Sequence, residues 1–265
     1  MFGGFKRGFI LLLAGILLFF VFGNLFVIKS AVANIYGSIE RNRLERITTG
    51  YLIKDTENFR IKFSSEDLET VDRVAGEAER QLALAADYFG YQPKDKITII
   101  VYPNKEDLEK GLRLSSGGTT LGAYYAGTIS IISPKKWGIE GQEAEKGLYL
   151  HELTHLIMDD MAGGNYPVWF TEGLALYQEY LATGFEWGKD YIFKEQPYTV
   201  RELTLQFNKL DQFLAYKQSF LIVKEIMERS SIEEVLALFQ LLKKGQAFET
   251  AFARSLGYSL SELQQ

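Results

Sequence analysis

The 265-residue sequence contains no cysteine. Disulfides, cysteine-ligated zinc, iron–sulfur clusters and a thiol nucleophile are therefore excluded. Histidine is almost as scarce, with two residues, and there are only five prolines. The formal net charge of −5 gives no overall basic surface, so we expect no nucleic-acid partner. With 47% hydrophobic and 24% charged residues, the composition is that of a globular protein with a large core.

A long apolar run lies close to the N-terminus. Residues 9–28 contain no charged side chain, and as a helix they would extend about 30 Å, the thickness of a bilayer's hydrocarbon core. Lys6 and Arg7 precede the run in a very short tail. Such a tail tends to remain in the cytoplasm while a long C-terminal region is exported. The run therefore predicts a single-pass signal anchor whose partner is the lipid bilayer.

The segments around the apolar run complete this organisation. We predict a cytoplasmic tail at 1–8, a membrane-proximal stalk at 29–57, and one extracytoplasmic domain at 58–265 of a cell-membrane protein. The alternative is a cleavable signal peptide, because Ala31-Val32-Ala33 has the small-residue pattern of a cleavage site. Cleavage near Ala33 would give a secreted protein. The anchor is favoured, because the apolar core of a signal peptide is usually only about 7 to 15 residues long.

The spacing of apolar residues divides the predicted domain into two halves. The predicted strands are 59–63, 96–102, 121–125 and 128–132, the last two forming a hairpin. The predicted helices are 64–90, 105–112, 143–161, one starting near 167, and about 210–227, 231–243 and 246–255. Strands followed by helices predict an α+β fold, with a small mixed β-sheet ahead of a mostly helical C-terminal half.

Both histidines belong to one short motif, His151-Glu152-Leu153-Thr154-His155. On a helix, residues four apart lie on one face and about 6 Å apart along the axis, so both imidazoles can bind one metal ion. Glu152 lies at the edge of that face, where it can accept a proton from water without being a ligand. Chance would produce this arrangement about once in a thousand such sequences. The motif therefore predicts a catalytic metal site.

A zinc site of this kind needs a third protein ligand and an open position for water. Because no third histidine exists, the ligand must be an oxygen. Glu172 lies in a helix predicted to start near Pro167, after a turn that returns the chain along the first helix. Asp159 and Asp160 are the alternatives. Glu172 is favoured, because Asp159 would have to reach back from one turn further along the same helix.

Two classes of metalloprotease do not fit these residues. Metzincins require a glycine and a histidine where this chain has Met158 and Met161. Intramembrane metalloproteases carry the motif within a membrane span, whereas charged residues surround it here.

The motif at 151–155 and the segment Trp169-Phe170-Thr171-Glu172-Gly173-Leu174-Ala175 together resemble gluzincin zinc metallopeptidases. The similarity is to the peptidase MA-like group related to thermolysin and aminopeptidase N, and it extends roughly over 59–265. This resemblance implies a zincin-like fold and a peptide or protein substrate. It also implies one Zn²⁺ per chain held by His151, His155 and Glu172, with Glu152 as the general base.

The resemblance also implies a donor for the oxyanion that forms during hydrolysis. Tyr216 lies in a segment similar to the tyrosine-bearing segment of aminopeptidase-like relatives. Tyr124, Tyr125 and Tyr166 are the alternative donors.

In the family, a strand close to the zinc binds the substrate backbone by strand addition. Either 121–125 or 128–132 could serve here, and we assign substrate binding to Gly122, Ala123 and Tyr124. Aminopeptidases present an acid in this region for the free amine of the substrate. Residues 122–127 contain none, which favours an endopeptidase.

The sequence as a whole predicts a membrane-anchored zinc metallopeptidase. The alternative is a catalytically silent, zinc-stabilised binding or assembly module at the membrane surface.

Overall fold

The first half of the chain builds a sheet and the second half is mostly helical, within residues 25–113, 121–193 and 196–263, which the computed structural model describes. The strands are β1 (Leu52–Asp55), β2 (Phe59–Phe63), β3 (Ile97–Tyr102), β4 (Gly122–Tyr125) and β5 (Thr128–Ile132). The α-helices are α1 (Leu25–Ile47), α2 (Val71–Phe89), α3 (Lys105–Leu112), α4 (Ile139–Ala162), α5 (Val168–Thr183), α6 (Val200–Gln206), α7 (Gln212–Arg229), α8 (Ile232–Lys243) and α9 (Phe248–Leu256). The predicted α+β arrangement is confirmed.

The sheet has five strands in the order β1-β2-β3-β5-β4. β2, β3 and β5 are parallel, whereas β1 and β4 are antiparallel strands at the two edges. Every residue of β5 is buried, so both faces of the sheet are covered near its centre. β4 is only partly buried, and it contacts helix α4. One edge of the sheet therefore lies beside the helical half.

A two-residue turn joins β4 to β5 and confirms the predicted hairpin. Ala126 and Gly127 both have positive φ angles, +52° and +79°. Positive φ at both central residues is typical of the type I′ turn, which matches the twist of antiparallel strands. Glycine adopts this backbone without strain, whereas alanine does so at a cost. The turn fixes the register in which Tyr124 lies opposite Ile129.

Helix α4 lies at the centre of the helical half. It contacts α2, α5, α8 and β4. α4 ends at Gly163, whose left-handed backbone (φ +69°) terminates the helix. α5 starts directly after Pro167, its N-cap residue, and packs against both α4 and α7. The short connection reverses the chain, as predicted from its glycines and proline, and brings α5 alongside α4.

Part of the segment 29–57, predicted as a membrane-proximal stalk, belongs instead to the folded domain. Leu44, near the end of α1, is 2% exposed and belongs to the core. β1 then pairs with β2 at the outer edge of the sheet. The fold therefore begins before residue 58. Sequence patterns missed β1 because most of its side chains are exposed, which leaves no alternation of apolar and polar residues.

Among the helices of the described residues, none has both the length and the apolar character needed to cross a bilayer. The predicted anchor at 9–28 lies outside the described residues except for its C-terminal end, which is the start of α1.

The close contact between α5 and α7 depends on a glycine. A Cβ at Gly173 would collide with the backbone carbonyl of Ser219 and the side chain of Val223. We expect Gly173→Ala to lower the free energy of unfolding by about 1–3 kcal/mol, because the helices would have to move apart. Gly76 in α2 is the matched control, since a Cβ there meets nothing within 4 Å.

Gly76→Ala should be neutral or should stabilise the protein by about 0.5–1 kcal/mol, because alanine favours helix. Urea unfolding of both variants measures the difference. Equal stability of the two variants would contradict the close approach of α5 and α7.

Candidate active site

Three potential metal ligands converge between α4 and α5. Nε2 of His151 and Nε2 of His155 each lie 3.6 Å from Oε2 of Glu172. One ligand atom of each residue lies within 4.8 Å of those of the other two. The two histidines are one turn apart on α4, and Glu172 comes from the start of α5. The reversal between the helices is therefore what completes this metal-ligand group, His151, His155 and Glu172.

The metal-ligand group fits a zinc ion. Ligands at about 2.0–2.1 Å around a tetrahedral zinc lie about 3.4 Å from one another, close to the 3.6 Å observed between each imidazole nitrogen and the carboxylate oxygen. Oε2 of Glu172 is buried, and it accepts no hydrogen bond from any part of the chain that the structure describes. An unpaired buried carboxylate oxygen is costly unless a cation binds it. Two imidazoles and a carboxylate also match the donors of catalytic zinc sites.

The charges around the histidines favour a cation as well. Burial lowers the pKa of His155 to about 4, which keeps its imidazole in the neutral form that binds metal. Burial acts in the same direction on His151, but the Glu172 and Glu179 carboxylates outweigh it and raise the pKa of His151 well above its ordinary value. The site therefore attracts positive charge, either as a proton on His151 or as a metal ion.

The alternative ligands Asp159 and Asp160 lie outside the metal-ligand group. The Tyr124 hydroxyl donates to Asp159 Oδ2 at 2.7 Å, and the Tyr166 hydroxyl donates to the other oxygen. Asp160 accepts a 2.6 Å hydrogen bond from the Tyr91 hydroxyl. The geometry therefore favours Glu172 as the third ligand.

Glu152 lies beside the histidines and faces the edge of the sheet. It is 5% exposed, and its Oε2 accepts a 2.6 Å hydrogen bond from the backbone N–H of Tyr124. Burial raises the pKa of Glu152 to about 7, against the opposing effects of His151 and the Tyr124 N–H. A carboxyl group with a pKa near neutrality can both accept and release a proton.

The residues predicted for the site all line one cleft of about 480 Å³. They are Gly122, Ala123, Tyr124, His151, Glu152, His155, Glu172 and Tyr216. Among the alternative oxyanion donors, Tyr166 lines this cleft as well. The Tyr125 hydroxyl instead lies 2.8 Å from the hydroxyl of Tyr36 on α1. Edge strand, metal-ligand group and tyrosines thus form a single site, which we refer to as the cleft.

Comparison with known proteins assigns the chain to a family. The model of the Peptidase MA superfamily matches residues 77–265. The chain belongs to this superfamily. The predicted membership of the gluzincin-type, peptidase MA-like group is thus confirmed.

The fold is also similar to a crystal structure of a mutant M1 zinc metallopeptidase from Deinococcus radiodurans, with a TM-score of 0.52 and 15% sequence identity. The similarity covers 80% of this chain and 49% of that one, so the chain spans about half the length of this neighbour. The zincin-like fold is supported by this match. No protein with a curated description matches the chain.

Two side chains of this peptidase MA chain contact the histidines from outside the metal-ligand group. Glu179 Oε2 lies 3.6 Å from Nδ1 of His151, and Thr171 Oγ1 lies 2.7 Å from Nδ1 of His155. Such contacts orient the rings so that both Nε2 atoms face the metal position. Sequence analysis missed both residues. Glu179 follows Glu172 by two helical turns on the same face of α5, and this spacing was the available signal.

Gln81 of α2 fixes the catalytic helix just before the motif. This residue is fully buried. Its side-chain oxygen accepts a 2.7 Å hydrogen bond from the backbone N–H of Leu150, and its nitrogen donates to the carbonyl of Glu145 at 3.2 Å. Both partners belong to α4, and Leu150 directly precedes His151. The sequence gives little sign of this role, because Gln81 lies within an otherwise apolar helical stripe.

Tyr216 is positioned by aromatic neighbours. Its ring centroid lies 5.5 Å from that of Phe207 and 6.1 Å from that of Trp187. Burial, together with the nearby Glu172 carboxylate, raises the pKa of Tyr216. The hydroxyl therefore stays protonated and can donate a hydrogen bond into the cleft.

The adjacent residue, Lys217, holds Trp187 in place. Lys217 is 5% exposed, and its Nζ donates to the carbonyl of Tyr191 at 2.6 Å and to that of Gly188. A buried ammonium group with two carbonyl partners ties the 187–191 segment to α7. The segment keeps Trp187 against Tyr216.

The choice between Glu172 and Asp159 as ligand is testable by metal content. We expect Glu172→Gln to lose zinc at free zinc concentrations that saturate the parent protein, because a neutral amide is a poor ligand. Asp159→Asn should retain one zinc per chain, since its carboxylate contacts tyrosine hydroxyls. Zinc is quantified per chain after dialysis of the full-length protein. Loss of zinc from Asp159→Asn alone would reverse the assignment.

Proposed function

We propose that the protein is a membrane-anchored zinc metallopeptidase that cleaves peptide bonds within polypeptides on the extracytoplasmic side of a cell membrane. One observation carries the proposal. The metal-ligand group and Glu152 line the same cleft as the edge strand β4, so metal, proton acceptor and a peptide-binding edge come together. Membership of the Peptidase MA superfamily supports the reaction class.

His151, His155 and Glu172 would hold the zinc ion, which supplies a Lewis acid that polarises a carbonyl and lowers the pKa of water. Glu152 accepts a proton from the attacking water and later delivers it to the departing amine. Burial raises its pKa in the metal-free site, and the positive charge of zinc would favour the ionised form that accepts the proton. The buried surroundings strengthen these electrostatic interactions, because little bulk water screens them.

The oxyanion needs a hydrogen-bond donor in the cleft. The protonated Tyr216 hydroxyl is supported by its position in the cleft beside Glu172. Tyr166 is less suited, because its hydroxyl donates to Asp159, a carboxylate outside the metal-ligand group. Tyr216 is therefore proposed as the donor.

Endopeptidase activity is proposed from the composition of the peptide-binding edge. Gly122, Ala123 and Tyr124 line the cleft, and the strand and its turn carry no acid that would bind a free amine. A polypeptide paired along this edge can therefore extend beyond the cleft, and its terminal amine need not be bound there.

The membrane anchor is proposed from the apolar run at 9–28. The rival proposal, secretion after cleavage near Ala33, is less favoured because Ala33 lies within helix α1.

The role of Glu152 separates an enzyme from a silent zinc module. We expect Glu152→Gln to keep one zinc per chain and to lower kcat at least about 100-fold, because the amide cannot accept the proton. Cleavage of a mixed peptide library by the full-length protein in detergent measures this loss. Full cleavage by the variant would contradict the assigned base. Zinc binding without cleavage by the parent would favour the alternative, a catalytically silent binding or assembly module.

The position of Tyr216 yields a second prediction. We expect Tyr216→Phe to lower kcat about 100-fold with little change in KM, as for the loss of one oxyanion donor. Lys217→Met should lower kcat about tenfold, because the segment carrying Trp187 is released. In the Tyr216→Phe background, Lys217→Met should have no further effect on kcat, since the hydroxyl it positions is absent.

The control for Lys217 is Arg229→Met. Arg229 lies on the same helix, and its Nη1 is 3.0 Å from Oε1 of Glu225, with side chains 36% and 42% exposed. Exposed ion pairs contribute little, so kcat should change less than about twofold. Steady-state kinetics of Tyr216→Phe, Lys217→Met, the double variant and the control measure these changes in kcat. Additive effects of Tyr216→Phe and Lys217→Met would contradict the positioning role of Lys217.

A further inference from the structure

A second groove lies beside the cleft. Its volume is about 860 Å³, and it shares two lining residues, Tyr124 and Asp159, with the cleft. One wall consists of helix α1, which contributes Ala33 and Gly37. The turn between β4 and β5 and the C-terminal end of α4 lie on the other side. This space, the α1 groove, therefore borders the cleft at Tyr124 and Asp159.

The wall formed by α1 is fixed by polar contacts to the β4–β5 turn. Arg41 Nη1 donates to the carbonyl of Ala126 at 3.2 Å, and the Tyr36 and Tyr125 hydroxyls lie 2.8 Å apart. Ala126 has a left-handed backbone, and such strain persists where surrounding contacts hold it. α1 precedes the 77–265 family match. The groove wall therefore lies outside the residues that the family model matches.

Strand β4 runs from the cleft towards the α1 groove. Ala123 and Tyr124 line the cleft, whereas Tyr124, Ala126 and Gly127 line the α1 groove. β4 ends at Tyr125, so at about 3.3 Å per residue the strand extends about 7 Å beyond Ala123 before the turn residues Ala126 and Gly127. A peptide paired along β4 by strand addition would therefore reach the groove about three residues from the cleft centre.

We propose that the α1 groove binds the substrate polypeptide several residues to one side of the cleaved bond, which makes extended polypeptides the preferred substrate class. This inference rests on the proposed peptidase function. The groove lining carries both signs of charge, with two acidic residues, Asp159 and Asp160, and three basic ones, Arg41, Lys94 and Lys243. Such a surface selects for chain length rather than for one charged side chain.

The test compares two peptides with the same cleavage sequence, using the zinc-loaded full-length protein. The short peptide has about two residues on each side of the cleaved bond and the long peptide about eight, enough to reach the groove at the strand rise above. We expect KM for the long peptide to be about tenfold lower at similar kcat, because remote contacts give uniform binding.

Ala33→Trp would fill the groove from an exposed helix position. It should raise KM about tenfold for the long peptide and leave the short peptide unchanged. Ile35→Trp is the matched control, since Ile35 is 61% exposed on the same helix but does not line the groove. It points away because two positions correspond to about 200° around a helix. The control should leave both peptides unchanged.

A binding measurement separates the groove from the chemistry. In the Glu152→Gln background, fluorescence anisotropy of the labelled long peptide should show about tenfold weaker binding when Ala33→Trp is added, and unchanged binding with Ile35→Trp. Equal KM for both peptides in the parent, or equal effects of the two tryptophans, would overturn the inference while leaving the proposed function intact. Cleavage of neither peptide by the parent would contradict the proposed function and this inference with it.

Discussion

A buried group of carboxylates around two imidazoles is the interaction on which the site depends. Glu152, Glu172 and Glu179 all lie beside the histidines, and buried negative charges close together are costly without a counter-charge. Burial raises the pKa of Glu152, while the Glu172 and Glu179 carboxylates raise that of His151. A divalent ion in the same place would supply the missing charge without protonating a ligand. Metal binding and stability of this region should therefore be coupled.

The fold holds this unfavourable cluster on rigid elements. All the cluster residues lie on α4 and α5, not on loops, so their separation is set by helix packing. Gln81 fixes α4 on one side, and on the other side α5 is held against α7 by the glycine contact at Gly173. Strand β4 closes the front through the Tyr124 N–H. Sites on regular elements keep their geometry more closely than sites on loops.

The sequence predicted the parts of the site that follow from local spacing. His151 and His155 are one helical turn apart, and the turn before Pro167 indicated the reversal that brings Glu172 to them. Contacts between distant segments were not predictable, because exposed or isolated polar residues carry no periodic signal. Gln81 is one such case, and the α1 contacts to the β4–β5 turn are another. β1 was missed for the same reason, since its pairing leaves most of its side chains in solvent.

Helix α1 gives the N-terminal region a physical role in the proposed peptidase. α1 runs without interruption from Leu25 to Ile47, so it begins inside the apolar run and ends in the core at Leu44. If residues 9–28 cross a bilayer, Ala33 stands about 8 Å beyond the end of that span along a straight helix. The outer end of the α1 groove would then open close to the membrane surface, with the cleft further along β4. The helix would then act as a spacer between the membrane and the cleft.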